Sequence, residues 1–141
     1  MIYFVIILIL SVLLWSTATG FREGFTWQNA RRRAKTPLPL FDYHTWRYIE
    51  QFSIFGSIIA TAFIGWQAII IYWGANWFFV YVSYEPCLDY MVQGRWIWFK
   101  NDNPYTIRIF GKEYTFNNGT VYQITLTLIG LILIGIGVYL L

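Results

Sequence analysis

The chain has 141 residues, one domain's worth, and 57% of them are hydrophobic, 22% aromatic and only 12% charged, against about 25% charged in soluble domains. Its formal charge of +3 is too small an excess to select nucleic acid as a partner. A lone cysteine, Cys87, and a lone histidine, His44, exclude an internal disulfide, a CxxC motif and multi-histidine metal sites, so no cofactor is expected.

Residues 2–19 form an uninterrupted apolar run of the length a helix needs to cross a hydrocarbon core. A signal peptide would open on a positive segment, which Met-Ile-Tyr lacks. Residues 20–49 are polar and carry Arg22, Arg31, Arg32, Arg33, Lys35 and Arg47. They predict a helical extension through Lys35, a break at Pro37 and Pro39, and an N-cap at Asp42. The next apolar run, residues 52–81, exceeds one crossing, so a reversal is expected inside it. "YWGANW" supplies Gly74 and Asn76 as turn residues between interfacial tryptophans, which divides the run into helices over 50–73 and 75–94. Residues 95–120 form a second polar loop whose "TIRIFGKEYTF" alternates as a hairpin turning at Gly111 and Lys112. Thr120 and Gln123 have capping-box spacing before a last spanning run, 121–141.

The expected fold is therefore all-α and membrane-embedded: a bundle of four transmembrane helices with a small cytoplasmic β-hairpin loop. Three crossings are the alternative. Four crossings put both polar loops and all basic residues on one side, as the positive-inside rule favours, and imply a multi-pass protein of the cytoplasmic (inner) membrane. Arg31, Arg32, Arg33 and Lys35 would then set topology and meet anionic lipid headgroups. Trp46, Trp73, Trp77, Trp96 and Trp98 read as interfacial anchors, an aromatic belt.

With a turn at Gly74, a rise of about 1.5 Å per residue places Glu85 roughly 15 Å deep, near the bilayer midplane, and Asp89 one turn further. Acids at that depth are costly and often mark ion or proton paths. Glu85, Asp89, Gln67 and Thr61 are thus the candidate intramembrane polar site, with a hydrogen-bonded packing pair as the plainer reading. Pro86 leaves the carbonyl of Val82 without a helical partner and invites a kink. Ser53, Ser57, Thr61 and Gly65 recur every fourth residue as a ridge on which that helix could dock, and Gly130 and Gly137 suggest a second close helix contact.

The leading functional expectation is a structural or accessory membrane element that assembles with itself or a membrane protein partner through these small-residue faces. A channel, holin-like pore or proton-coupled device centred on Glu85 is the alternative. A membrane enzyme with a cytoplasmic-face site built from Glu23, His44, Arg47 and Glu50 is the third, and it lacks a nucleophile–base pair. The stretches "FREGFTW", "HTWRYIE" and "YEPCLDYMVQGRW" together resemble uncharacterised small multi-pass membrane proteins of bacteriophage type. That resemblance implies architecture and origin rather than an activity. It departs from holins in the large loops and the uncharged tail.

Overall fold

The computed structural model describes residues 1–31, 43–99, 105–109, 112–116 and 118–141. The chain is mostly helical. Helix α1 (Ile2–Arg31) is followed by α2 (Tyr43–Ile64), then by α3 (Gln67–Phe79), a π-helical turn (Val80–Tyr84) and α4 (Glu85–Gln93), which run on as one rod. Strands β1 (Tyr105–Ile109) and β2 (Lys112–Phe116) and a last helix, α5 (Gly119–Tyr139), complete the order. The α1 segment Ile2–Thr26 and α5 are each long and apolar enough to cross a membrane.

Reversal occurs at Gly65–Trp66, nine residues before the expected turn at Gly74. Gly65 has φ +86°, a left-handed conformation that its missing Cβ permits, and its N–H donates to Thr61 O at 3.0 Å while its carbonyl accepts from Ala68 N–H at 3.1 Å. One such residue is enough to end α2 and start α3. Gly74 and Asn76 instead lie inside α3, and the helices expected over 50–73 and 75–94 are replaced by α2 and the α3–α4 rod.

The rods lie side by side rather than in a closed bundle. Among the described residues, α1 packs extensively on α2 and on α3 and α4, while α5 packs on α3. The resulting order across the layer is α2, α1, α3–α4, α5. Residue pairings fix the directions. Phe4 stacks on Phe63 and Thr19 bonds Glu50, so α1 and α2 are antiparallel. Val5 and Leu8 cluster with Ala68 and Ile71, and Ala18 with Cys87 and Met91, so α1 runs parallel to the third rod. Gln67 Nε2 donates to Leu140 O and Glu85 accepts from Gln123, so α5 returns antiparallel.

Glycines make two of the seams. A Cβ on Gly74 would lie 2.7 Å from Gly130 O and 2.8 Å from Ile134 N, and one on Gly130 would meet Gly74 O at 2.7 Å. The backbones of α3 and α5 therefore touch directly, with Ile71 packed over Gly137 one turn on. On the other side, Gly20 of α1 sits under Tyr84 O and Cys87, and Gly24 under Met91.

The face α2 turns to α1 comprises Ser53, Gly56, Ala60 and Ile64, with Gly56 against Ser11. The predicted ridge is thus only partly used. Ser53 is buried, Ser57 is half-buried, Thr61 is exposed and Gly65 forms the turn.

The hairpin pairs Ile109 with Lys112 and Arg108 with Glu113, so Lys112 opens the second strand and does not belong to the turn. Asn118, not Thr120, caps α5: its side chain accepts from Thr120 N–H at 3.0 Å and Val121 N–H at 3.3 Å. The expected capping box fails because Thr120 already lies inside the helix, and the Gln123 side chain is engaged elsewhere. Asn118→Ala should cost about 1 kcal/mol, read from thermal melts of the purified protein in detergent. Pro37, Pro39, Asp42 and Gly111 lie outside the described residues, as do Arg32, Arg33 and Lys35; Arg31 is the last residue of α1.

Candidate functional site

Moving the reversal to Gly65 changes the depth of the acids. Glu85 is 20 residues beyond Gly65, about 30 Å along the rod at 1.5 Å per residue, and so stands at the far end of it. There it is level with the charged end of α1 and not halfway down, as a turn at Gly74 would require.

A polar network fills that end. Glu50 of α2 accepts from Thr19 Oγ1 at 3.0 Å, and its Oε2 lies 2.8 Å from Arg22 Nε. Tyr84 donates its hydroxyl hydrogen bond to Glu23 Oε2 across the α1–π seam. Ser16 Oγ donates to Phe79 O at 2.9 Å, and the Thr17 and Ser83 hydroxyls are 2.5 Å apart. Gln123 Nε2 donates to Glu85 Oε2 at 2.6 Å, tying α5 to the start of α4. Gln123 itself is 5% exposed, and among the described residues its buried Oε1 has no hydrogen-bond partner.

The π-helical turn is the backbone response to Pro86. In an α-helix Pro86 would deny Val82 O its donor. Here the extra residue in the turn lets Glu85 N–H reach Val80 O, five positions back, and the Trp98 indole N–H donates to Val82 O at 3.1 Å. The orphan carbonyl is therefore met from outside the helix, by a residue 16 positions on. Trp98→Phe removes that donor and keeps most of the ring. It should cost about 1 kcal/mol in a melt.

The predicted site residues are not brought together. Asp89 accepts from Gln93 Nε2 on its own helix at 3.2 Å. Gln67 is at the opposite end of the rod from Glu85, on Leu140 O. Thr61 donates to Ser57 O, and both line an apolar groove of about 470 Å³ floored by Val12 and Trp15 of α1 and walled by α2 and α3. That groove exists because α2 and α3 part after their short turn.

Tyr84 carries no signal in the sequence, while Gln123 and Glu23, expected in a capping box and in an enzyme site, are instead the partners of Glu85 and Tyr84. Gln123 could have been found as a polar side chain inside a spanning run, the same signal that drew attention to Glu85.

Of the four residues proposed for an enzyme site, Glu23 and Glu50 are engaged by Tyr84 and by Arg22 with Thr19, while His44 and Arg47 are exposed on the first turns of α2. Trp46 is buried against Phe21, ring centroids 4.5 Å apart, and Trp96 stacks between Tyr90 and Trp98, so three of the expected anchors belong to an aromatic cluster at the charged end. Trp73 lies inside α3, and Trp66 occupies the turn. Cys87 is 4% exposed beneath Gly20. Its thiol should resist an impermeant maleimide in the folded protein from either side and react fully in SDS.

No protein-family model matches the chain, and no match was found among curated proteins or solved structures.

Proposed function

We propose that the chain is an integral membrane protein of four crossings that serves as a structural or accessory element of the cytoplasmic membrane, with both polar loops on the cytoplasmic side. One observation carries this reading. Large apolar side chains point outward from every rod, among them Ile6 and Leu10 of α1, Phe52 and Phe63 of α2, and Ile132 of α5. In the sequence every charged residue falls within 22–50 or 85–113, and on the described helices Arg22, Glu23, Arg47, Glu50, Glu85 and Asp89 lie toward one end. A soluble protein would have to solvate that girdle, whereas hydrocarbon solvates it without cost. The concentration of Lys and Arg at that end supports a cytoplasmic assignment.

Assembly through the small-residue faces needs revision, because Gly20, Gly24, Gly74, Gly130 and Gly137 are used in seams within the chain. What remains for a membrane partner is the groove at Ser57 and Thr61 and the open surface of Gly135. A channel centred on Glu85 is the second reading, favoured by its partner Gln123, whose buried Oε1 has no hydrogen-bond partner among the described residues.

Ion flux separates the two. Purified protein reconstituted in vesicles should leave a potassium or proton gradient intact. A leak that Glu85→Gln abolishes, with the protein still folded, would replace the structural reading by the channel.

A further inference from the structure

We propose that Glu85 and Gln123 hold a small monovalent cation, with Na⁺ the natural probe, at the junction of α4 and α5. The inference rests on the membrane reading above for its setting, but not for its geometry.

Glu85 is half-buried, and among the described residues it has no Lys or Arg partner. Among the described residues its carboxylate accepts from an amide of a residue that is itself 5% exposed. The carbonyl oxygen of that amide is bonded to the same carbon as the donor nitrogen, and among the described residues nothing satisfies it. Buried amide oxygens without partners are rare and mark an ion or water site.

Turning the amide over does not remove the problem, since Glu85 then faces the oxygen and the nitrogen is left alone. A cation resolves both deficits at once. It supplies the countercharge to one carboxylate and takes a neutral carbonyl oxygen as a further ligand, the donor type hard cations prefer.

The charge count favours a monovalent ion, because the neighbouring acids are committed: Glu23 to Tyr84, Glu50 to Arg22 and Asp89 to Gln93. Divalent sites commonly draw on several carboxylates. Among the described residues no group of three His, Cys, Asp or Glu side chains converges. The site also sits where ordering matters, beside the π-helical turn and at the polar contact that ties α5 to α4.

The test uses the full chain in detergent at constant pH and ionic strength, with Na⁺ exchanged for choline. Saturating Na⁺ should raise Tm by about 3 °C or more along a hyperbolic curve. Glu85→Gln and Gln123→Leu should each erase that increment, while Asp89→Asn keeps it. Should either variant fail to fold, equilibrium ²²Na⁺ binding to the unaltered protein decides, with saturation near one ion per chain and displacement by Li⁺ expected.

Absence of saturable ²²Na⁺ binding would overturn the site. So would a Na⁺ effect that persists in Gln123→Leu, or a Tm that follows pH but not Na⁺. None of these outcomes bears on how many times the chain crosses the bilayer, which cysteine labelling reads separately.

Discussion

Gly74→Leu should uncouple α5 from the rest of the protein. The substituted Cβ would stand 2.7 Å from a carbonyl oxygen and 2.8 Å from an amide nitrogen of α5, both backbone atoms that cannot swing aside. The rods must separate along a seam that also carries Gly130, Ile71 and Gly137. Overpacking of a well-filled core costs about 1–3 kcal/mol when side chains can adjust, and the upper end or beyond is expected where only backbone is available.

In an SDS titration the midpoint should fall sharply, with helicity by circular dichroism largely retained and α5 newly open to protease. Gly130→Leu should behave alike. Gly135→Leu is the control: the same change on the same helix, with nothing within 4 Å of the new Cβ, should leave the midpoint unchanged.

Arg22→Met should cost about 2 kcal/mol, the second-largest effect. Arg22 and Glu50 are partly shielded, with side chains 27% and 16% exposed and 2.8 Å between charged atoms. Removing one partner from a fully buried pair costs about 3–5 kcal/mol, and an exposed pair is worth about 1 kcal/mol or less, so partial exposure places this one between. Most of the loss would come from stranding Glu50, which among the described residues keeps only Thr19. The double variant Arg22→Met with Glu50→Gln should therefore recover part of the stability lost in the single one. Additive losses in that double-mutant cycle would show the pair to be energetically uncoupled.

The long runs of apolar residues made the rods legible, because hydrocarbon thickness and helix rise leave little freedom in how such runs are read. That the chain is mostly helical followed from that. The reversal did not. "YWGANW" has the residues of a solvent-exposed turn, whereas "IGWQ" contains one glycine and no other turn former. A reversal needs only one left-handed residue, and Gly65 supplies it. Gly74 had the opposite use: its missing side chain admits a neighbouring backbone rather than a bend. Local sequence does not distinguish the two roles of glycine, since the difference lies in what stands opposite.

The error in depth followed from the error in the turn. Counted from Gly65, Glu85 moves from the middle of the rod to its charged end, and its partner changes from residues on α2 to Gln123 on α5. Pro86 alone announces the orphan carbonyl at Val82. That a tryptophan from beyond α4 would donate to it could not be seen, because the connection after Gly94 has no periodicity to fix where Trp98 lies.

Cysteine labelling across the Gly65 reversal tests the four-crossing account most directly. With the buried Cys87 retained, Trp66→Cys, Arg47→Cys and Arg95→Cys each place a thiol at an exposed position: the turn, the start of α2 and the segment after α4. In intact cells an impermeant maleimide should modify only Trp66→Cys, and the two arginine positions should react together once the membrane is permeabilised. Labelling of Arg47→Cys and Arg95→Cys from opposite sides would contradict it, as would Trp66→Cys reacting from the same side as either.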